Sequence, residues 1–160
     1  MTKLIGALLL VTVTVIFAFV YTHHQRKRVL QAEGFLLLLR YLRGQILCYA
    51  LPIEEALRGY ENDALTECGF LPLLRQGSFL EALEGTRSTV FLEKDAQKAL
   101  RSFGEGVGKS YREDQLALCD YTLGELERTV DRLREEYPRK VKLGRSLVIS
   151  GGLALVLVLL

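Results

Sequence analysis

The sequence predicts an all-α protein: a compact five- or six-helix bundle between an N-terminal and a C-terminal transmembrane helix. Three observations carry this. Two apolar runs without Asp, Glu, Lys or Arg, Leu4–Gln25 and Ser146–Leu160, bracket the 160-residue chain. All 19 acidic residues fall between Glu33 and Glu136. Within that stretch apolar residues recur at helical steps, with no turn-bounded alternation of the kind a strand needs. The expected division is 1–25 for the first span, 26–138 for a cytoplasmic helical domain, and 139–160 for a basic collar and the second span.

The first run, Leu4–Thr22, would cover about 28 Å as a helix, close to the hydrocarbon core of a bilayer. Val11 to Ile16 alternates like a strand, but a lone strand in lipid leaves its backbone groups unpaired, whereas a helix satisfies its own. A cleaved signal peptide is the competing expectation, since Lys3 precedes an apolar run. The bulky Phe19-Val20-Tyr21-Thr22-His23 offers no small-x-small cleavage site, and Arg26-Lys27-Arg28 would resist export. The C-terminal run is short, and starting it at Val141 requires Lys142 and Arg145 to snorkel back to the headgroups. Gly151-Gly152 with Ser150 and Ala154 offers a small face for helix packing, a feature that also arises by chance.

Charge placement sets the expected topology. The stretch Glu33–Glu136 holds 13 basic against 19 acidic residues, a formal charge of −6. Arg26, Lys27, Arg28, Arg139, Lys140, Lys142 and Arg145 sit on the inner flanks of the two runs. Cations beside a span stay on the cytoplasmic side and meet anionic lipid there. Both flanks therefore place the middle domain in the cytoplasm. Three scattered cysteines, Cys48, Cys68 and Cys119, form no CxxC and suit a reducing compartment.

In the middle, Phe35, Leu38, Leu39, Leu42, Ile46 and Tyr49 mark one face of a first helix. Pro52 suits the first position of a second, with Glu54 and Glu55 in its first turn and Gly59 at its end. Asn62 or Asp63 could cap a short helix that Gly69 and Pro72 interrupt. Ser78-Phe79-Leu80-Glu81 is a capping box opening a helix to about Arg87. The next helix carries Leu92, Ala96, Leu100, Phe103 and Val107 and ends in a turn formed by Gly104, Gly106 and Gly108. Ser110-Tyr111-Arg112-Glu113 is a second capping box. The helix it opens bears Leu116, Cys119, Leu123, Leu126, Val130, Leu133 and Tyr137, with expected pairs Arg128–Asp131 and Arg132–Glu135. Pro138 should stop or kink it.

Chemistry is not expected. Gly104-Glu-Gly-Val-Gly-Lys-Ser110 approaches GxxxxGK[ST], but Phe103 occupies the required first glycine and a helix precedes it. A helix cap and turn explain it, with glycine tolerating positive φ. His23 and His24 lack a third metal ligand and sit beside the basic flank. Cys119 lies on an apolar stripe, and no histidine in the domain could activate a nucleophile. Glu54-Glu55 and Glu135-Glu136 are helix neighbours whose side chains diverge by about 100°. A domain at −6 repels phosphates, so nucleic acid is not a partner. No catalytic, cofactor or metal residue and no small-molecule substrate is assigned. Glu54, Glu55 and Glu105 are candidate contacts for a partner with a basic surface.

The chain resembles the stage III sporulation protein AB family, whose soluble part is similar to the F-type domain of type II secretion and pilus platform proteins. The motif residues are Phe103, Gly104, Glu105, Gly106, Val107 and Gly108, then Arg112 and Gln115, with Pro52-Ile53-Glu54-Glu55-Ala56-Leu57 as a second match. Where the family usually has Asp after the glycine turn, this chain has Tyr111, leaving Ser110 to supply the cap. The resemblance implies a non-enzymatic platform subunit of a secretion-like channel between mother cell and forespore, in the mother-cell membrane surrounding the forespore. It also implies coupling of a cytoplasmic ATPase, stage III sporulation protein AA, to the other channel subunits. The alternative from a different class is a membrane-anchored regulator or scaffold for a single cytoplasmic partner.

Overall fold

No proline occurs before Pro52, and Gly6, Gly34 and Gly44 are isolated, each costing about 1 kcal/mol in a helix interior. Accordingly α1 (Thr2–Cys48) is one helix of 47 residues. The basic flank that was expected to separate a span from the first bundle helix is itself helical, because Arg and Lys are good helix formers. The computed structural model describes the backbone of residues 2–48, 57, 59–109 and 111–159. Within the two long helices it describes the side chains of 6, 12–48, 112–144, 146, 148, 150 and 151. Among the described residues there are six helices and no strand.

The short elements follow local chemistry. Asn62 caps α2 (Asp63–Glu67), its side-chain oxygen accepting from the Leu65 N–H at 3.1 Å. Gly69, at φ 87°, turns the chain into α3 (Phe70–Leu74), and Pro72 sits in the first turn of α3, where a missing N–H costs nothing. The expected interruption at these two residues is therefore a joint between two helices. Ser78 and Glu81 form the predicted capping box of α4 (Phe79–Gly85). Then come α5 (Lys94–Gly106) and α6 (Arg112–Leu159), a 48-residue helix with Pro138 inside it. Pro138 does not stop α6: it removes one N–H from the ladder, and the helix continues on both sides.

The chain divides into two units, Met1–Lys27 with Arg134–Leu160, and Arg28–Leu133; α1 and α6 contribute to both. In the second unit a run of edge-to-face rings joins four helices. Phe35 of α1 meets Phe70 of α3 at 4.8 Å, Phe70 meets Phe79 of α4 at 5.3 Å, and Phe79 meets Phe103 of α5 at 5.2 Å. Each such pair is worth about 0.5–1.5 kcal/mol beyond its buried area. The predicted stripe of α6 closes the core, with Cys119, Leu123, Leu126, Val130 and Leu133 all buried. Thr122 and Thr129, buried on the same helix, bond the carbonyls one turn back at 2.8 and 2.9 Å, so neither hydroxyl is stranded.

Charged side chains link α1 to α6. Arg43 holds Asp120 at 2.5 Å and Arg40 holds Glu127 at 2.8 Å. The expected i,i+3 pairs differ from those found. Arg128 bonds Glu125, and Arg132 reaches across to Glu93 in the connection before α5. Arg28 approaches the same Glu93 at 3.8 Å, although it was expected on the membrane flank.

In the first unit, Gly144 lies against the Tyr21 ring, where an added Cβ would stand 3.3 Å from a ring carbon. Val13, Val15, Ile16, Phe17, Phe19 and Val20 are exposed. Among the described residues no helix is long and apolar enough to cross a membrane. Most of Leu4–Val11 and all of Gly152–Leu160 lie outside the residues whose side chains are described.

Candidate functional site

The candidate site is the connection between α5 and α6 with the carboxylates around it. Phe103 is fully buried and anchors the last turns of α5. Gly104 and Gly106 are helical, correcting the expectation that both belong to the turn. The reason for Gly104 is close approach: a Cβ there would stand 2.9 Å from the Phe79 ring and 3.5 Å from the Leu80 backbone. The turn itself is narrower. The Val107 N–H donates to the Phe103 carbonyl at 2.8 Å, and Gly108 then takes φ 78°, a left-handed conformation that side chains resist. Ser110, the expected cap, lies outside the described residues. Tyr111 is exposed, and its carbonyl accepts the Gln115 N–H at 3.0 Å, the first bond of α6.

Of the three candidate contact residues, Glu105 is exposed at the end of α5. Arg101 holds it at 3.2 Å and reaches Glu84 at 2.8 Å with another nitrogen, so its charge is partly offset. Glu54, Glu55 and Pro52 lie outside the described residues; Leu57, from the same predicted helix, is helical and buried. A concavity of about 400 Å³ borders the turn, lined by Leu57, Leu74, Phe79, Gly104, Val107, Gly108 and Lys109 among others.

A second groove, of about 550 Å³, was missed from sequence. It lies between α4 and α5, lined by the half-buried Leu83 and the buried Val90 together with Glu84, Arg87, Lys94, Gln97, Lys98 and Arg101. The signal was present: Lys94, Lys98 and Arg101 are spaced i, i+4, i+7, one face of a helix. The dominance of acidic residues in the domain average concealed it.

The titratable groups behave as structural ones. The Arg43 guanidinium bonds Asp120 and holds its carboxyl below the usual range. The Ser78 backbone N–H does the same for Glu81. Burial pushes the Cys68 thiol up and the Cys119 thiol up to about 11, so both are protonated at neutral pH. Among the described residues no group of His, Cys, Asp or Glu could hold a metal ion.

Together these features define a class of protein: an all-helical chain with long first and last helices and a bundle core built on parts of both, with a glycine turn before the last helix. The chain belongs to the stage III sporulation protein AB family, whose sequence model matches residues 3–70 and 75–160. No curated protein and no solved structure matches it.

Proposed function

We propose that this chain is a non-enzymatic membrane platform subunit of a sporulation secretion-like channel complex between mother cell and forespore. Its bundle faces the cytoplasm and couples an ATPase, stage III sporulation protein AA, to the membrane assembly; the bundle is the counterpart of the F-type domain of secretion platforms. The observation that carries this reading is the exposed apolar segment of α1. Val13, Val15, Ile16, Phe17, Phe19 and Val20 are six of the eight residues from Val13 to Val20, and all are exposed. They cover more than half of the helix circumference, leaving the half-buried face of Thr14 and Ala18, and water disfavours such a surface while lipid accepts it. The same helix, α1, carries this apolar segment, Arg26-Lys27-Arg28 and the bundle residues Phe35 to Ile46 in sequence. Family membership supplies the sporulation context.

Chemistry is assigned no part. The buried thiols are held protonated, and the carboxylates with depressed pKa values are tied to Arg43 or to a helix cap. The acidic groups serve the partner: Glu54, Glu55 and Glu105 would meet a basic patch on the ATPase. The test is capture of the ATPase by the full chain from sporulating cells. Glu54→Lys with Glu55→Lys should weaken capture and impair spore formation while leaving the melting temperature nearly unchanged. Undiminished capture by a folded double variant would remove both residues from the interface.

A further inference from the structure

We propose that the groove between α4 and α5 is a docking surface for an acidic, partly apolar segment of a protein partner. It is opposite in sign to the acidic contact described above and would stand even if those glutamates proved idle. Lys94 and Lys98 project from one face of α5, and Arg87 adds a third cation from the connection after α4. Among the described residues none of the ion pairs involves these three. Arg101 is already engaged by Glu84 and Glu105, which offsets its charge.

This concentration of positive charge sits within a stretch whose formal charge is −6. An extended polyanion would meet the surrounding negative field, whereas a short acidic segment needs only the groove. Leu83 and Val90 supply an apolar floor, which a free inorganic anion would not use. A volume of about 550 Å³ accommodates a few side chains, such as glutamates and leucines on one face of a peptide. The occupant is therefore an amphipathic acidic segment that places carboxylates on Arg87, Lys94 and Lys98 and aliphatic groups on the floor.

The experiment uses the full chain in detergent micelles and a fluorescein-labelled peptide built from glutamate and leucine at helical spacing, followed by fluorescence anisotropy. Binding should weaken as salt rises. Arg87→Glu with Lys98→Glu should weaken it at least about tenfold. Lys98→Arg should retain it, and Lys109→Glu, a reversal outside the groove, should leave it unchanged. Circular dichroism melting of each variant establishes that the fold is intact; should the double reversal unfold, Arg87→Gln with Lys98→Gln reads the same loss. Absence of binding to the parent chain, or equal loss with Lys109→Glu, overturns the proposal. So does equal binding of an all-glutamate peptide, which would leave the apolar floor unused. Phosphatidylglycerol vesicles that compete as well as unlabelled peptide would reassign the groove to lipid. A self-association abolished by the groove reversal would reassign it to a second copy of the chain.

Discussion

At the scale of single residues, burial follows the helical wheel, on which positions two apart stand about 200° from each other. Leu126 and Arg128 are two apart on α6, and Leu126 is fully buried while the Arg128 side chain is 79% exposed. Leu126→Ala should destabilise the protein by about 2–5 kcal/mol, as large-to-small core changes do. Arg128→Ala should shift stability by no more than about 0.5 kcal/mol, because an exposed i,i+3 pair contributes little. Thermal or denaturant melts of the two variants check the assignment, and equal losses would mean that the wrong face is buried. Gly108 is decided by backbone instead. At φ 78°, Gly108→Val forces a β-branched residue into the left-handed region and should lower the melting temperature, at a cost of about 1–3 kcal/mol.

Protonation belongs to the same scale. Asp120 and Glu81 have folded-state pKa values below their unfolded ones, the first through Arg43 and the second through Ser78. Their contributions are present above about pH 4, the unfolded carboxylate range, and are lost as pH falls through the lower folded values. Asp120→Asn should therefore reduce stability near neutral pH and flatten the acid side of the stability profile. A variant whose acid limb matched that of the parent chain would show that the Arg43 bond contributes nothing.

Among the elements, helices with strong periodicity were legible and their lengths were not. The α1 and α6 stripes could be read because leucine and phenylalanine at three- and four-residue steps leave one burial solution. The capping box at Ser78 could be read because its chemistry is local. The continuity of α1 through the basic flank could not, since charge marks a membrane boundary without breaking a helix. Of the two outcomes expected at Pro138, a stop or a kink, the sequence could not exclude the stop, which the helix on either side of it does. Gly104 was misassigned for a related reason: a glycine needed for close approach to Phe79 has the same letter as one needed for a turn. The cross-chain partners of Glu93 and Gln31 lie far off in sequence and leave no local trace.

Those partners give an element-scale prediction. The connection between α4 and α5 is tied to α1 by the buried Gln31 side chain, beside Arg28, whose Nε donates to the Phe91 carbonyl at 3.3 Å. The Gln31 amide nitrogen donates to the Thr89 carbonyl at 2.9 Å, and its amide oxygen accepts from the Phe91 N–H at 2.8 Å. Gln31→Ala leaves both groups without these partners and should cost about 1–3 kcal/mol. Hydrogen exchange at Phe91 should accelerate more than at α6 core amides. Uniform acceleration across the bundle would contradict a local clamp.

For the whole molecule, the proposed role depends on two properties: a bundle with a ring-lined core, and first and last helices that carry the two apolar runs of the sequence. The candidate site was only partly legible. The glycine turn and Glu105 could be placed from sequence, while the basic groove emerges only when α4 and α5 are brought side by side. The central claim is that the bundle is held at the cytoplasmic face of a membrane by its own first and last helices. Ser102 is exposed on α5, so Ser102→Cys, in a chain with Cys48, Cys68 and Cys119 replaced by alanine, reports the location of the bundle. Membranes are isolated from cells expressing this chain, and intact cells are treated with a membrane-impermeant maleimide before and after permeabilisation. The account predicts that the chain sediments with membranes and that Ser102→Cys is labelled only after permeabilisation. Labelling from outside intact cells, or recovery of the chain in the soluble fraction, would contradict it.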